Sequence, residues 1–216
     1  MANAGSVVDT DAHYWEPLGD FADYLEEPWK SRIADREDPG GLLPQSTGDR
    51  FMSGRIHRDE VPYPVEDMTP DQIPGAMAHV GVDQIVLLPN KMLTFGKLAG
   101  EDERPIALAN GYVDYMLDEV VRPDDGVYTM IIAPYQDPDA AVDLIDRVGD
   151  ERGIVAVCMI TAGPEPPLGN RKYDPIYAAA EAAKLPVVFH SGGSSLDDFF
   201  IRGYEKFIET HTLGFL

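Results

Sequence analysis

Short apolar runs alternate with helix-forming segments along most of this chain, and this alternation constrains the fold more than any other feature. After a first run at Val7, we place strands at 83–89, 127–134, 153–160 and 187–190. Between them, Thr69-Pro70, Arg104-Pro105, Asp137-Pro138 and Asp174-Pro175 each mark a helix start, where proline fits the first turn. Strands that alternate with helices predict right-handed βαβ units and a parallel α/β sheet.

The first strand ends in alternating acidic and imidazole side chains. Because side chains alternate along a strand, Asp9, Asp11 and His13 are predicted to point the same way. Borderline divalent cations such as zinc accept a mixture of carboxylate and imidazole ligands. An acidic strand end can instead cap a helix or a turn, and His13 alone can be a partly buried histidine whose nitrogens are hydrogen-bonded.

A third ligand must come from elsewhere, and His190 is the best candidate. It ends the apolar run 185–190 and is followed by small residues, as expected at the carboxyl end of a strand. Carboxyl ends of parallel strands share one edge, so the sequence predicts a metal site formed by His13, His190 and an aspartate of the first strand, Asp9 or Asp11. Cys158, inside the fourth strand, is expected to be a core residue rather than a nucleophile.

Composition restricts the partners. The 216 residues include 17 Lys plus Arg against 38 Asp plus Glu, a formal net charge of −21 and a pI near 4.3. Such a charge argues against binding to nucleic acid or to anionic membranes. The expected partners are therefore small molecules or other copies of the chain in a homo-oligomer. Because salt screens self-repulsion, we hypothesise a halophilic cytoplasm.

Targeting signals and disulfides are not predicted. Cys158 is the only cysteine, so the chain forms no internal disulfide. The N-terminus lacks a basic and then apolar leader, and no run approaches the roughly 18 apolar residues that span a bilayer. A soluble cytoplasmic protein is expected.

A polar segment, 18–67, follows the first strand and is rich in Pro, Gly and Asp. It is too long for an ordinary connection, so we interpret it as a lid-like insertion within a single domain, 1–216. Arg55 lies in a small basic cluster there that can meet an anionic substrate, although a solvated loop is the simpler interpretation.

Four segments together resemble the amidohydrolase-related family, in the branch of aminocarboxymuconate semialdehyde and resorcylate decarboxylases. They are 9–17, 81–89, 173–180 and 185–190. The resemblance implies a TIM-like (β/α)8 barrel, a fold that needs about 250 residues. This chain reaches about the fifth βα unit, so a barrel truncated at the C-terminus is expected.

The resemblance also implies one divalent metal, zinc or manganese, with His13 and His190 at the positions of two family ligands. Asp11 replaces the first His of the usual His-x-His, as in some decarboxylases of the branch. Glu16, Trp15 and Arg55 are candidate substrate-binding residues, and the catalytic acid is expected beyond residue 216. His211 is a possible candidate for that acid. Its spacing from Tyr204, Phe207 and Ile208 is helical, however, so we interpret it as an inward-facing histidine of a helix.

Three functions remain open on this basis. The preferred one is a non-oxidative decarboxylase, a carboxy-lyase acting on a small aromatic or unsaturated carboxylic acid. The second is a metal-dependent hydrolase that activates water to attack an amide or lactone. The third is an inactive truncated chain or structural subunit, whose exposed edge strands invite pairing with other chains.

Overall fold

The computed structural model describes residues 5–34, 63, 68–90, 92–93, 98, 103–161 and 164–190. Five parallel strands form one sheet in the order β1-β2-β3-β4-β5. They are β1 (Val8–Tyr14), β2 (Gln84–Pro89), β3 (Val127–Ile132), β4 (Ile154–Ile160) and β5 (Val187–His190). The predicted parallel α/β architecture is confirmed, and the strands curl as half of a TIM-like barrel.

Helices connect the strands and cover the outside of the sheet. They are α1 (Leu18–Ala22), α2 (Trp29–Ala34), α3 (Ile73–Val80), α4 (Glu103–Tyr115), α5 (Pro138–Val148) and α6 (Asp174–Ala182). Short 3-10 turns at Pro70–Gln72, Pro123–Asp125 and Arg171–Tyr173 and a π-helical turn at Met116–Val120 complete the described elements. Within the described part of the chain, no helix is both long and apolar enough to cross a bilayer.

The helix starts carry the chemistry that the sequence indicates. Thr69 and Gln72 form a reciprocal capping box before α3. The Asp137 carboxylate accepts the backbone N–H groups of Asp139 and Ala140 at the start of α5. Gly81 ends α3 with φ of 77°, a left-handed conformation that glycine adopts without strain.

The core lies between the sheet and the helices. All residues of β4 except the half-buried Val155 are buried, as expected for a parallel strand covered on both faces. Helix α5 presents one apolar stripe to this core, since Ala141, Leu144, Ile145 and Val148 are all buried. Cys158 has no exposed surface, which confirms that it is a core residue, and burial raises the pKa of its thiol to about 12, so the thiol stays protonated at neutral pH.

Part of the 18–67 segment packs as regular structure rather than as a loop. Helices α1 and α2 lie in it, and Gly111 of α4 lets the chain at Tyr24 and Leu25 approach closely. The Phe21 ring lies 6.5 Å from that of Tyr115, also on α4. Because this segment also packs against α4, α4 buries more residues than a single apolar stripe would supply. Residues 35–62 and 64–67 lie outside the described residues, and the lid and single-domain interpretation stays a prediction.

Candidate metal centre

Three side chains converge at the carboxyl ends of the two outermost strands. Asp11 and His13 lie on β1, and His190 is the last residue of β5. One possible ligand atom from each lies within 4.8 Å of the others. Nε2 of His190 lies 3.1 Å, and Nε2 of His13 3.8 Å, from Oδ1 of Asp11. The predicted convergence is therefore seen in the structure.

Curling of the sheet makes this convergence possible. Five strands in a flat sheet would separate the outer strands by about 19 Å, at roughly 4.8 Å per step. Instead, the ring centroids of His13 and His190 lie 5.1 Å apart, with an angle of 67° between the ring planes. The twist that accumulates from strand to strand thus brings Asp11 and His190 together, although they are 179 positions apart in the sequence.

A bulge in β1 sets the direction of Asp11. The register with β2 shifts between Asp9, which pairs with Ile85, and Ala12, which pairs with Leu87. Strict alternation is therefore broken there, and Asp9 does not belong to the cluster. The Asp9 carboxylate instead accepts the backbone N–H of Asp11 at 3.0 Å. The prediction that Asp9 points with Asp11 and His13 overlooked this extra residue in the strand.

The strand ends are held by further hydrogen bonds. Thr161, which follows β4, donates its backbone N–H to the carbonyl of His190 at 2.8 Å, and its hydroxyl lies 3.3 Å from the same oxygen. These contacts fix the backbone from which His190 projects. Thr161 and Asn90 both follow a strand as the first polar residue beyond it, a signal that the sequence interpretation did not use.

Opposing influences within the cluster act on the pKa of His13. Burial lowers the pKa of His13, and so does the neighbouring His190 ring, whereas the carboxylate of Asp11 and a hydrogen bond with the Asn90 side chain raise it; the net direction is below the ordinary value. His13 is therefore neutral at pH 7 and has one nitrogen lone pair to offer. The side chain of Asp11 is 71% exposed, which leaves an open side to the cluster.

Two imidazoles and one carboxylate are a donor set that suits zinc, and manganese also accepts carboxylate ligands. The spacing of the three groups allows them to face one ion. Residues 8–213 match a family model described as Amidohydrolase. The chain belongs to the amidohydrolase family.

Solved structures show the same fold for this amidohydrolase-family chain. One is a 5-carboxyvanillate decarboxylase from Novosphingobium aromaticivorans with bound manganese and 3-methoxy-4-hydroxy-5-nitrobenzoic acid. It superposes with a TM-score of 0.61 at 19% sequence identity, and the match covers 96% of this chain and 58% of the decarboxylase chain. A 2,6-dihydroxybenzoate decarboxylase from Rhizobium superposes with a TM-score of 0.51 at 18% sequence identity, and the match covers 87% of this chain and 50% of that decarboxylase chain. The chain thus spans just over half the length of these neighbours. No curated protein matches it.

The remaining candidate residues have different surroundings. Trp15 is half-buried beside the strand end. Glu16 has no exposed surface, and both of its carboxylate oxygens accept backbone N–H groups, from Asn90 at 3.1 Å and from Met92 at 3.0 Å. Contact between Glu16 and a substrate would need rearrangement. Arg55 and His211 lie outside the described residues.

Proposed function

We propose that Asp11, His13 and His190 bind one divalent cation, zinc or manganese, and that the site serves non-oxidative decarboxylation of a small aromatic or unsaturated carboxylic acid. The observation that carries this proposal is the convergence of the three donor atoms within 4.8 Å. The manganese and the nitrobenzoic acid of the carboxyvanillate decarboxylase support the choice of metal and substrate class.

A divalent cation supplies electrophilic stabilisation of the negative charge that builds up on the substrate during loss of carbon dioxide. Asp11, His13 and His190 would hold that cation and set the net charge of the site. His13 is neutral at pH 7 and contributes a lone pair, while Asp11 contributes one negative charge. The exposed side of Asp11 gives a substrate room to approach. The proton that replaces carbon dioxide is expected from a residue outside the described ones, and Trp15 and Arg55 remain proposed substrate contacts.

Hydrolysis of an amide or lactone is the second candidate, favoured by the match to the amidohydrolase family. The same three residues would serve both reactions, so the two reactions must be distinguished by their products. Decarboxylation releases one carbon dioxide for each acid consumed, whereas hydrolysis consumes one water and releases no gas. Incubation of the metal-loaded chain with hydroxybenzoic acids and with small lactones, followed by mass spectrometry, distinguishes the two.

The substitution His190→Ala tests the metal site directly. We expect the wild-type chain to bind about one equivalent of Mn²⁺ or Zn²⁺ by calorimetry and metal analysis. Loss of one of three ligands should weaken binding by about 100-fold or more, beyond the effect of losing an outer partner of a ligand. The sheet should remain folded by circular dichroism, because His190 is at the end of its strand.

His79→Ala is the matched control, because His79 is exposed at the end of α3, away from the cluster. It should bind metal like the wild type. A folded wild-type chain that takes up neither metal would contradict the proposal and favour the third possibility, a structural subunit. In that case the outer strands, each paired on one side among the described residues, are where a second copy would add, and size-exclusion chromatography would report the homo-oligomer.

A further inference from the structure

Asn90 lies next to the proposed ligand His13, on the adjacent strand. It directly follows β2, whose Leu88 and Pro89 pair with His13 and Tyr14 of β1. The backbone N–H of Asn90 donates to the carbonyl of Tyr14 at 2.9 Å, which extends the pairing by one step. Because His13 pairs with Leu88 and Asn90 lies two residues further along, the Asn90 side chain is on the same side of the sheet as the His13 ring, and a hydrogen bond with it raises the pKa of that ring. Asn90 is therefore a direct neighbour of this imidazole.

A buried carboxylate holds Asn90 in place. Glu16, three residues after His13, accepts on one oxygen the backbone N–H of Asn90, which this oxygen shares with the carbonyl of Tyr14, and on the other oxygen the N–H of Met92. A carboxylate without exposed surface is costly unless it is hydrogen-bonded, so these contacts tie the chain after β1 firmly to the chain after β2. The position of Asn90 is thereby set by the same segment that carries His13.

The two nitrogens of a neutral imidazole have different roles. One carries a proton and donates, and the other has the lone pair that a metal requires. Nε2 of His13 lies 3.8 Å from Oδ1 of Asp11, and Nε2 of His190 lies 3.1 Å from the same oxygen. For Nε2 to be a ligand, the proton must be on Nδ1. A hydrogen-bond acceptor at Nδ1 selects that tautomer and orients the ring.

We propose that Asn90 is a positioning residue whose side-chain oxygen accepts the Nδ1 proton of His13, leaving the Nε2 lone pair directed at Asp11 and His190, and that Glu16 holds Asn90 in this position. The inference rests on the proposed function for the identity of the ligand, a divalent cation. The tautomer itself is a property of the metal-free chain.

The tautomer is measured first, in the full chain freed of metal by a chelator. Long-range proton–nitrogen NMR on histidine-labelled protein, above the pKa of His13, identifies the protonated nitrogen. We expect Nδ1–H in the wild type and a shift toward Nε2–H, the tautomer that predominates in free histidine, in Asn90→Ala. Asn90→Asp keeps an acceptor and should retain Nδ1–H. A wild-type His13 protonated on Nε2, or one unchanged by Asn90→Ala, overturns the proposal.

Affinity for Mn²⁺ is measured second, by calorimetry. Asn90→Ala should bind about 10- to 100-fold more weakly, the effect typical of losing an outer hydrogen-bond partner of a ligand. The matched control is Asn110→Ala, since Asn110 on α4 loses hydrogen bonds to Ile106 and Arg147 far from the cluster. It should leave both readouts unchanged.

The two readouts separate the inference from the function. If the wild type binds no metal but Asn90→Ala still shifts the tautomer, the proposed function fails and the positioning of His13 by Asn90 stands. If the wild type binds Mn²⁺ and Asn90→Ala changes neither tautomer nor affinity, the function stands and the inference is wrong. A loss of affinity with an unchanged tautomer also overturns it, because Asn90 then acts on the ion in another way.

Discussion

At the scale of single residues, His13 shows how the surroundings of a side chain decide its chemistry. Its imidazole is drawn toward the neutral form by burial and by His190 and toward the charged form mainly by Asp11. The first influences are larger, so the ring keeps its lone pair at neutral pH. Glu16, only three residues away, is a carboxylate with no exposed surface, tied to backbone amides.

This balance predicts the direction of two pKa changes in the metal-free chain. In Asp11→Asn the pKa of His13 should fall further, because the carboxylate that favours the protonated form is removed. In His190→Ala it should rise, because the neighbouring ring that lowers this pKa is removed together with part of the burial. Proton NMR titration of His13 measures both changes.

The control for this titration is Asp139→Asn, which removes an exposed carboxylate on α5 and should leave His13 unchanged. Equal shifts in Asp139→Asn and Asp11→Asn would mean that the net charge of the chain, rather than the local carboxylate, sets the pKa of His13.

At the scale of elements, helix starts are encoded locally. Asp137 illustrates this: its carboxylate accepts the N–H groups of Asp139 at 3.0 Å and Ala140 at 3.2 Å, and proline follows it in the first turn. These contacts involve neighbours in sequence, so they form wherever the helix forms. Helix α5 then buries its apolar stripe against the sheet.

Asp137→Ala should lower the free energy of unfolding by about 1 kcal/mol, the usual effect of losing an N-cap side chain. Chemical denaturation followed by circular dichroism measures this. Asp143→Ala removes the same charge from the exposed middle of α5 without touching a cap, and should be neutral or slightly stabilising. If both variants lose equal stability, the cap contributes nothing and the prediction is wrong.

At the scale of the whole molecule, charge is the dominant feature. A net charge of −21 is spread along the chain and remains after every Lys and Arg is counted, so ion pairs such as that of Arg147 with Asp114 leave many carboxylates in excess. Repulsion among exposed carboxylates acts over the Debye length, about 10 Å at 0.1 M salt and about 3 Å at 1 M. Salt should therefore stabilise the folded chain.

We expect the midpoint of thermal unfolding to rise between dilute buffer and molar KCl, as the halophilic hypothesis requires. Most of the rise should occur at low ionic strength, where the Debye length changes most, and this separates screening from general salt effects on apolar burial. A thermal unfolding midpoint that is no higher in molar KCl than in dilute buffer would contradict the halophilic hypothesis.

Sequence patterns predicted the elements and their order because both depend on near neighbours. The period of apolar residues and the caps at Thr69 and Asp137 identify strands and helices correctly, and their alternation identifies a parallel sheet. The choice of His13 and His190 also came from sequence, since polar residues at strand ends stand out against apolar runs, whereas Asp11 was chosen over Asp9 through the family resemblance. The helices α1 and α2 were missed because their apolar residues are scattered and contact α4, far along the chain.

Only the tertiary structure decided how the three candidate ligands meet. Their distances depend on the accumulated twist of five strands and on a bulge between Asp9 and Ala12, and neither is visible in a single segment. The same holds for Asn90 and Glu16, which are 74 residues apart and become neighbours only because β1 pairs with β2. Local sequence determines which residues form a strand, whereas the pairing and curling of strands determine which side chains can share one ion.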